Sequence, residues 1–90
     1  MTGNEYQELA ARTINNELNG NEIEMHALHG MVGEIGELHR IDQKVYQGHF
    51  DSPEHIKKEL GDLIWFIAEY GTAMGFSLDD IMEMNISKLQ

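Results

Sequence analysis

From Leu28 to Val45 the apolar residues Leu28, Met31, Val32, Ile35, Leu38, Ile41 and Val45 recur three and four apart, the spacing of one face of an α-helix. No stretch of the chain alternates apolar and polar residues with a period of two, so a β-sheet is not expected. Three further segments carry the helical period. The first runs from about Glu5 to Glu17 with Leu9, Ala10 and Ile14 as a modest stripe, and Leu18-Asn19-Gly20-Asn21 reads as the loop behind it. Gly48 to Asp51 breaks the second helix. Ser52-Pro53 then restarts the chain with serine as N-cap and proline at the first helical position. The third helix is expected from Pro53 to about Met74, the longest and most buried of the set, with Ile56, Leu60, Leu63, Ile64 and Ile67 on one face. Gly75-Phe76 turns the chain, and Ser77-Leu78-Asp79-Asp80 matches a capping box opening a last helix to Leu89. The fold class is all-α, with four helices.

Ninety residues support one core, so the sequence reads as a single domain, 1–90. Sixteen acids against six bases leave a net charge of −10, which disfavours nucleic acid and anionic membranes as partners. There is no cysteine, hence no disulfide framework or thiolate metal site, in keeping with a reducing, cytoplasmic setting. Neither a signal peptide nor a membrane span is expected, since no apolar run approaches the roughly eighteen residues a bilayer requires.

Acids three apart occur in five pairs, and in so acidic a chain the spacing alone says little. Two pairs differ from the rest. Glu34 and Glu37 lie in Gly33-Glu34-Ile35-Gly36-Glu37-Leu38, and Glu59 and Asp62 lie in Glu59-Leu60-Gly61-Asp62-Leu63; both read acid, aliphatic, glycine, acid, leucine. At about 100° per residue Glu34 falls between Ala27 and Ile41, and Glu59 between Phe66 and Tyr70, so both carboxylates lie in apolar sectors. An unpaired carboxylate there is costly, and a bound cation is the natural partner. Each internal glycine costs roughly 1 kcal/mol against alanine. An antiparallel hairpin whose glycine faces let the backbones approach would compensate, and would gather all four carboxylates. Oxygen donors without histidine or cysteine select Mg²⁺ or Mn²⁺. The competing reading is that the acids are solvated and the glycines only pack.

On these motifs the chain resembles the MazG-like nucleoside triphosphate pyrophosphohydrolases, an all-α superfamily that also includes the dimeric dUTPases. The resemblance extends from Tyr6-Gln7-Glu8-Leu9-Ala10, through the two acidic motifs with Lys58 and Ile64-Trp65, to Gly75-Phe76-Ser77-Leu78 and Met84-Asn85-Ile86-Ser87-Lys88-Leu89. It implies a four-helix bundle completed by oligomerisation, and Mg²⁺-dependent cleavage of a nucleoside triphosphate between the α and β phosphates to a monophosphate and pyrophosphate, for cleansing of the nucleotide pool. Carried over to this sequence, Glu34, Glu37, Glu59 and Asp62 would be the metal ligands, with Glu34 or Glu37 taking the proton of the attacking water. Asn85 and Lys88, one face of the last helix, would reach phosphate and sugar. Phe66 and Trp65 are candidates to stack on a base, and Arg40 and Lys44 to meet phosphates. The fuller motif of that family opens on two adjacent glutamates where this sequence has Gly33-Glu34. Small members continue into a basic Arg-x-Tyr-Pro tail where this sequence stops at Gln90, so neither a further ligand at position 33 nor tail contacts are implied.

The five histidines, His26, His29, His39, His49 and His55, share no ligand spacing and read as surface or partly buried groups, with His55 set apart by lying one turn before Glu59. A carboxylate-bridged di-iron bundle would normally need Glu-x-x-His motifs, which are absent. A catalytically silent helical interaction module remains the alternative from another class. The apolar faces of the second and third helices are too rich for so small a core, and a homodimer or homotetramer is expected to cover them.

Overall fold

The computed structural model describes residues 1–90 as four α-helices and no strand: α1 (Gly3–Ala11), α2 (Gly20–Tyr46), α3 (Pro53–Met74) and α4 (Leu78–Leu89). Every helix starts on a side-chain cap. Thr2 and Asn19 each accept from the backbone N–H three residues on, and Glu5 and Glu22 reach back in return, forming two full capping boxes. Ser52 and Ser77 cap α3 and α4, accepting from the N–H of His55 and Asp80, and Pro53 occupies the first turn of α3. Gly75 ends α3 in the left-handed region at φ 76°, where a side chain would be strained.

Three expectations are corrected at this level. The first helix stops at Ala11 and not at Glu17. Thr13 turns its hydroxyl back onto the Ala10 carbonyl at 2.7 Å, and the following Ile-Asn-Asn favours turns over helix. The longest helix is α2, with 27 residues against 22 for α3, because the Asn19–Glu22 box recruits the polar Gly20–His26 stretch ahead of the apolar period. On α3 the apolar stripe is not the buried face. Leu60, Ile64 and Ile67 are exposed and Ile56 and Leu63 half-buried, whereas Ala68, Glu69 and Gly71 are buried.

Helices α2 and α3 form the principal hairpin, α1 lies against α3, and α4 packs on α1. Within one chain the helices therefore do not close into a bundle, and the molecule is a slab of 43 × 39 × 21 Å. A small cluster of Ala10, Ala68 and Leu78, flanked by Tyr6 and Trp65, holds α1, α3 and the start of α4 together. Gln7 clamps the same junction: its side-chain N–H donates to the Phe76 carbonyl at 2.9 Å, and its oxygen accepts from the Leu78 N–H at 2.9 Å. Asn4 and Asp79 exchange backbone-to-side-chain bonds of 3.3 and 3.0 Å beside it.

The motif glycines do not play the part expected of them. A Cβ at Gly33, Gly36 or Gly61 would meet nothing within 4 Å, so no close backbone approach depends on them. The tight positions are Gly3, which faces Met82 and Asp79, Gly30, over which the Phe66 ring lies, and Gly71, which faces the Gln7 amide and the Phe76 carbonyl.

Candidate functional site

The seam between α2 and α3 is lined by acids. On α2, Glu34 stands between Ala27 and Ile41, which are 0% and 3% exposed, so the helical period carries its carboxylate into the seam as the sequence suggested. On α3, Glu59 and Asp62 lie one turn apart. One carboxylate oxygen from each of Glu34, Glu59 and Asp62 falls within a common 4.8 Å. Glu34 and Glu59 are half-buried and Asp62 is exposed, which leaves the trio one open side.

Glu34 carries the electrostatic strain of this arrangement. Its Oε2 is buried and has no hydrogen-bond partner. Its pKa is pushed up from 4.5 to about 7, first by a hydrogen bond with the Glu59 side chain, then by burial, then by the negative charges of Glu59, Asp62 and Glu37. Tyr6 on α1 borders the same region, and burial, with Asp62 behind it, raises its hydroxyl pKa. Three carboxylates forced together, one with a partnerless buried oxygen, form an all-oxygen donor set that fits a hard divalent cation such as Mg²⁺ or Mn²⁺.

Glu37 lies outside the trio. It is paired with Arg40 one turn along α2, and its charge reaches Glu34 only as the weakest of the influences on that group. His55 stands at the start of α3 between two acids, with Nδ1 2.9 Å from Asp51 and Nε2 3.6 Å from Glu59. The hydrogen bond to Asp51 raises the pKa of His55, and the same bond lowers that of Asp51.

The remaining sequence candidates are dispersed. Lys44 sits in the last turn of α2, where its charge helps to lower the pKa of Asp51, ten residues from Glu34 and so about 15 Å along the helix. Asn85 and Lys88 share a face of α4 with Ile81 and Met84, and with Phe76 they line a separate cavity of about 560 Å³. Since α4 packs on α1, one chain does not bring this face to the carboxylates. Phe66 is half-buried against Gly30, and the Trp65 indole N–H donates to the Thr13 hydroxyl at 2.8 Å.

Sequence reasoning missed Glu69. It is 1% exposed, and both of its oxygens face Nδ1 of His26, at 2.8 and 3.0 Å. A signal was present, because Glu69 lies seven residues after Asp62 and so shares its side of α3.

Comparison with known proteins bears on what this seam does. The family model described as the MazG nucleotide pyrophosphohydrolase domain matches residues 22–90, which include α2 from its third residue, α3, α4 and all three clustered acids. Among curated proteins, the Gene 37 protein of Mycobacterium phage L5 is 27% identical over 66 residues, covering 68% of this chain. The match covers 58% of that relative's length. No solved structure matches.

Proposed function

This chain belongs to the MazG nucleotide pyrophosphohydrolase family, and on that premise we propose that it hydrolyses a nucleoside triphosphate between the α and β phosphates, releasing a nucleoside monophosphate and pyrophosphate. The observation that carries the reading is the partnerless buried oxygen of Glu34 inside a cluster of three carboxylates. Neither packing nor capping accounts for it, and a divalent cation would.

Glu34, Glu59 and Asp62 are the residues that would hold Mg²⁺. A divalent ion so placed supplies charge neutralisation on the phosphates and a water acidic enough to attack at neutral pH. The chain's own groups do the rest. A hydrogen bond with Glu59, burial and the neighbouring acids favour the protonated form of Glu34, and a cation held there would favour its release as carboxylate. Glu34 within the trio, or Glu37 one turn along and paired with Arg40, would accept the proton of the attacking water. His55, hydrogen-bonded to Asp51, stands 3.6 Å from Glu59, where its positive charge when protonated would favour that carboxylate. No covalent nucleophile is required.

The working unit in this reading is a homodimer or a dimer of dimers. Only seven of the ninety residues are buried in the single chain, while Leu28, Val32 and Ile35 on α2 and Leu60, Ile64 and Ile67 on α3 remain exposed. Monomeric proteins rarely leave apolar stripes of this extent in water. Association covers them, and a neighbouring copy can bring the α4 face with Asn85 and Lys88 to the phosphates, which a single chain does not do.

The test is a screen of common and damaged nucleoside triphosphates for Mg²⁺-dependent pyrophosphate release, with Glu34→Gln and Asp62→Asn as controls. Pyrophosphate from the wild type and a loss of at least roughly hundredfold in kcat/KM in both variants is expected. Orthophosphate with nucleoside diphosphate as products would overturn the bond assignment, and full activity in both variants would overturn the site.

A further inference from the structure

Glu69 is the largest side chain buried outright in this chain, and it is an acid. A carboxylate withdrawn from water is costly, and buried ion pairs can often be replaced by apolar residues with no loss of stability. Fold stability alone therefore does not explain why α3 carries an acid there. Its one partner is Nδ1 of His26 on α2. That bond leaves Nε2 as the ring's free nitrogen, and the His26 side chain is 51% exposed. Glu69 thus acts from the interior as an orienting group for an imidazole whose other edge reaches solvent.

The His26 ring has two aromatic neighbours. The Trp65 ring stands edge-on to His26 with centroids 6.3 Å apart, and Phe66 lies tilted against it at 5.6 Å. Neither ring is free to drift: Trp65 is anchored to Thr13 and packs T-shaped on Phe66, which lies over Gly30. Flat apolar surface beside one oriented hydrogen-bonding nitrogen is the chemistry that takes a planar heteroaromatic ring with a polar edge. His26 is eight residues from Glu34, about 12 Å along α2, and Glu69 is seven from Asp62, about 10 Å along α3. The dyad is therefore too far from the carboxylate trio to touch a phosphorus atom held there. It lies along the same seam, where the nucleoside end of a nucleotide extends away from its phosphates.

We propose that His26 is the specificity-determining residue of the substrate site, its Nε2 reading the hydrogen-bonding edge of the nucleobase, and that Glu69 is the residue that positions it. The placement of the phosphates on the trio rests on the function proposed above; recognition of a base at His26 does not need the reaction to occur.

Trp65 is the only tryptophan in the chain and sits against His26, so its fluorescence reports on this spot. The experiment titrates AMP, GMP, CMP and UMP into the full chain in EDTA, with calorimetry alongside. His26→Gln retains an amide N–H for Glu69, so the buried carboxylate keeps a donor, but loses the imidazole edge; Glu69→Gln disturbs the orientation and leaves the edge. The wild type is expected to favour one base. Both variants are expected to weaken that monophosphate by roughly tenfold and to flatten the order of the four, with melting close to wild type.

The inference fails if no monophosphate registers by either method, or if His26→Gln binds all four in the wild-type order, including the case in which it only lowers the melting temperature. Monophosphate binding lost in His26→Gln by a protein that releases no pyrophosphate would uphold it and refute the hydrolase reading. Pyrophosphate release with unchanged base order in His26→Gln would do the reverse.

Discussion

The ring of Phe66 on α3 lies directly over Gly30 on α2, filling the space a Cβ at position 30 would occupy. This contact sets the approach of the two helices midway between the carboxylate trio and the His26–Glu69 pair. The expected outcome of Gly30→Ala is destabilisation by about 1–3 kcal/mol, since ring and helix must part. Gly33→Ala, Gly36→Ala and Gly61→Ala should each stabilise by up to about 1 kcal/mol, because the added methyl meets nothing and the helix gains propensity. Chemical denaturation at low protein concentration measures both. A loss in the second group seen only at high concentration would place those glycines at a contact between copies.

The raised pKa of Glu34, hydrogen-bonded to Glu59, makes the metal-free protein sensitive to pH. Glu34 titrates at about 7 in the folded chain and ordinarily at 4.5. Between those values the folded state holds a proton that the unfolded state has released, so stability falls as pH rises through this interval and levels off above it. In EDTA the melting temperature should decline across that window, and Glu34→Gln should flatten the decline. Added Mg²⁺ should stabilise most above pH 7, where the proton no longer competes for the site. An identical slope in wild type and variant would count against a raised Glu34 pKa.

Asp51 and His55 shift each other in opposite directions. His55 rises above 6.5 and Asp51 falls below 3.8, each chiefly through their hydrogen bond. The Asp51 contribution is lost as pH drops through its lowered value, and the His55 contribution as pH climbs through its raised one, so the start of α3 is best held between 3.8 and 6.5. A proton NMR titration of the His55 ring should give a midpoint above 6.5 in the wild type and one close to that value in Asp51→Asn. A midpoint unmoved by the substitution would mean that the bond does not form in solution.

The exposed stripes on α2 and α3 predict association coupled to activity. Val32→Glu or Ile64→Glu should shift the chain toward monomer in light scattering and reduce turnover, while far-ultraviolet dichroism keeps its helical shape. Fully active monomer at assay concentration would sink the oligomeric reading.

Local chemistry was enough to read four helices, the Ser52-Pro53 and Ser77 starts, the Gly75 stop and the placement of Glu34 in an apolar sector, because caps, turns and the 3.6-residue period act within a few residues. The same period points Glu59 and Asp62 toward one side of α3. It does not say which sector of a helix meets a neighbour. On α3 the apolar stripe of Leu60, Ile64 and Ile67 stayed outside and a glutamate went in, since which face is covered depends on what packs against it. Only the crossing of α2 and α3 decided that Glu34 meets Glu59 and Asp62, whereas the pairing of Glu37 with Arg40, three residues apart on α2, is local. The packing of α4 on α1 likewise decided that Asn85 and Lys88 face a different cavity. His26 and Glu69 are 43 residues apart, and neither has a local feature that names the other. Their pairing exists only where two helices pass, and there the low-dielectric interior makes one hydrogen bond decide whether a buried carboxylate can be tolerated.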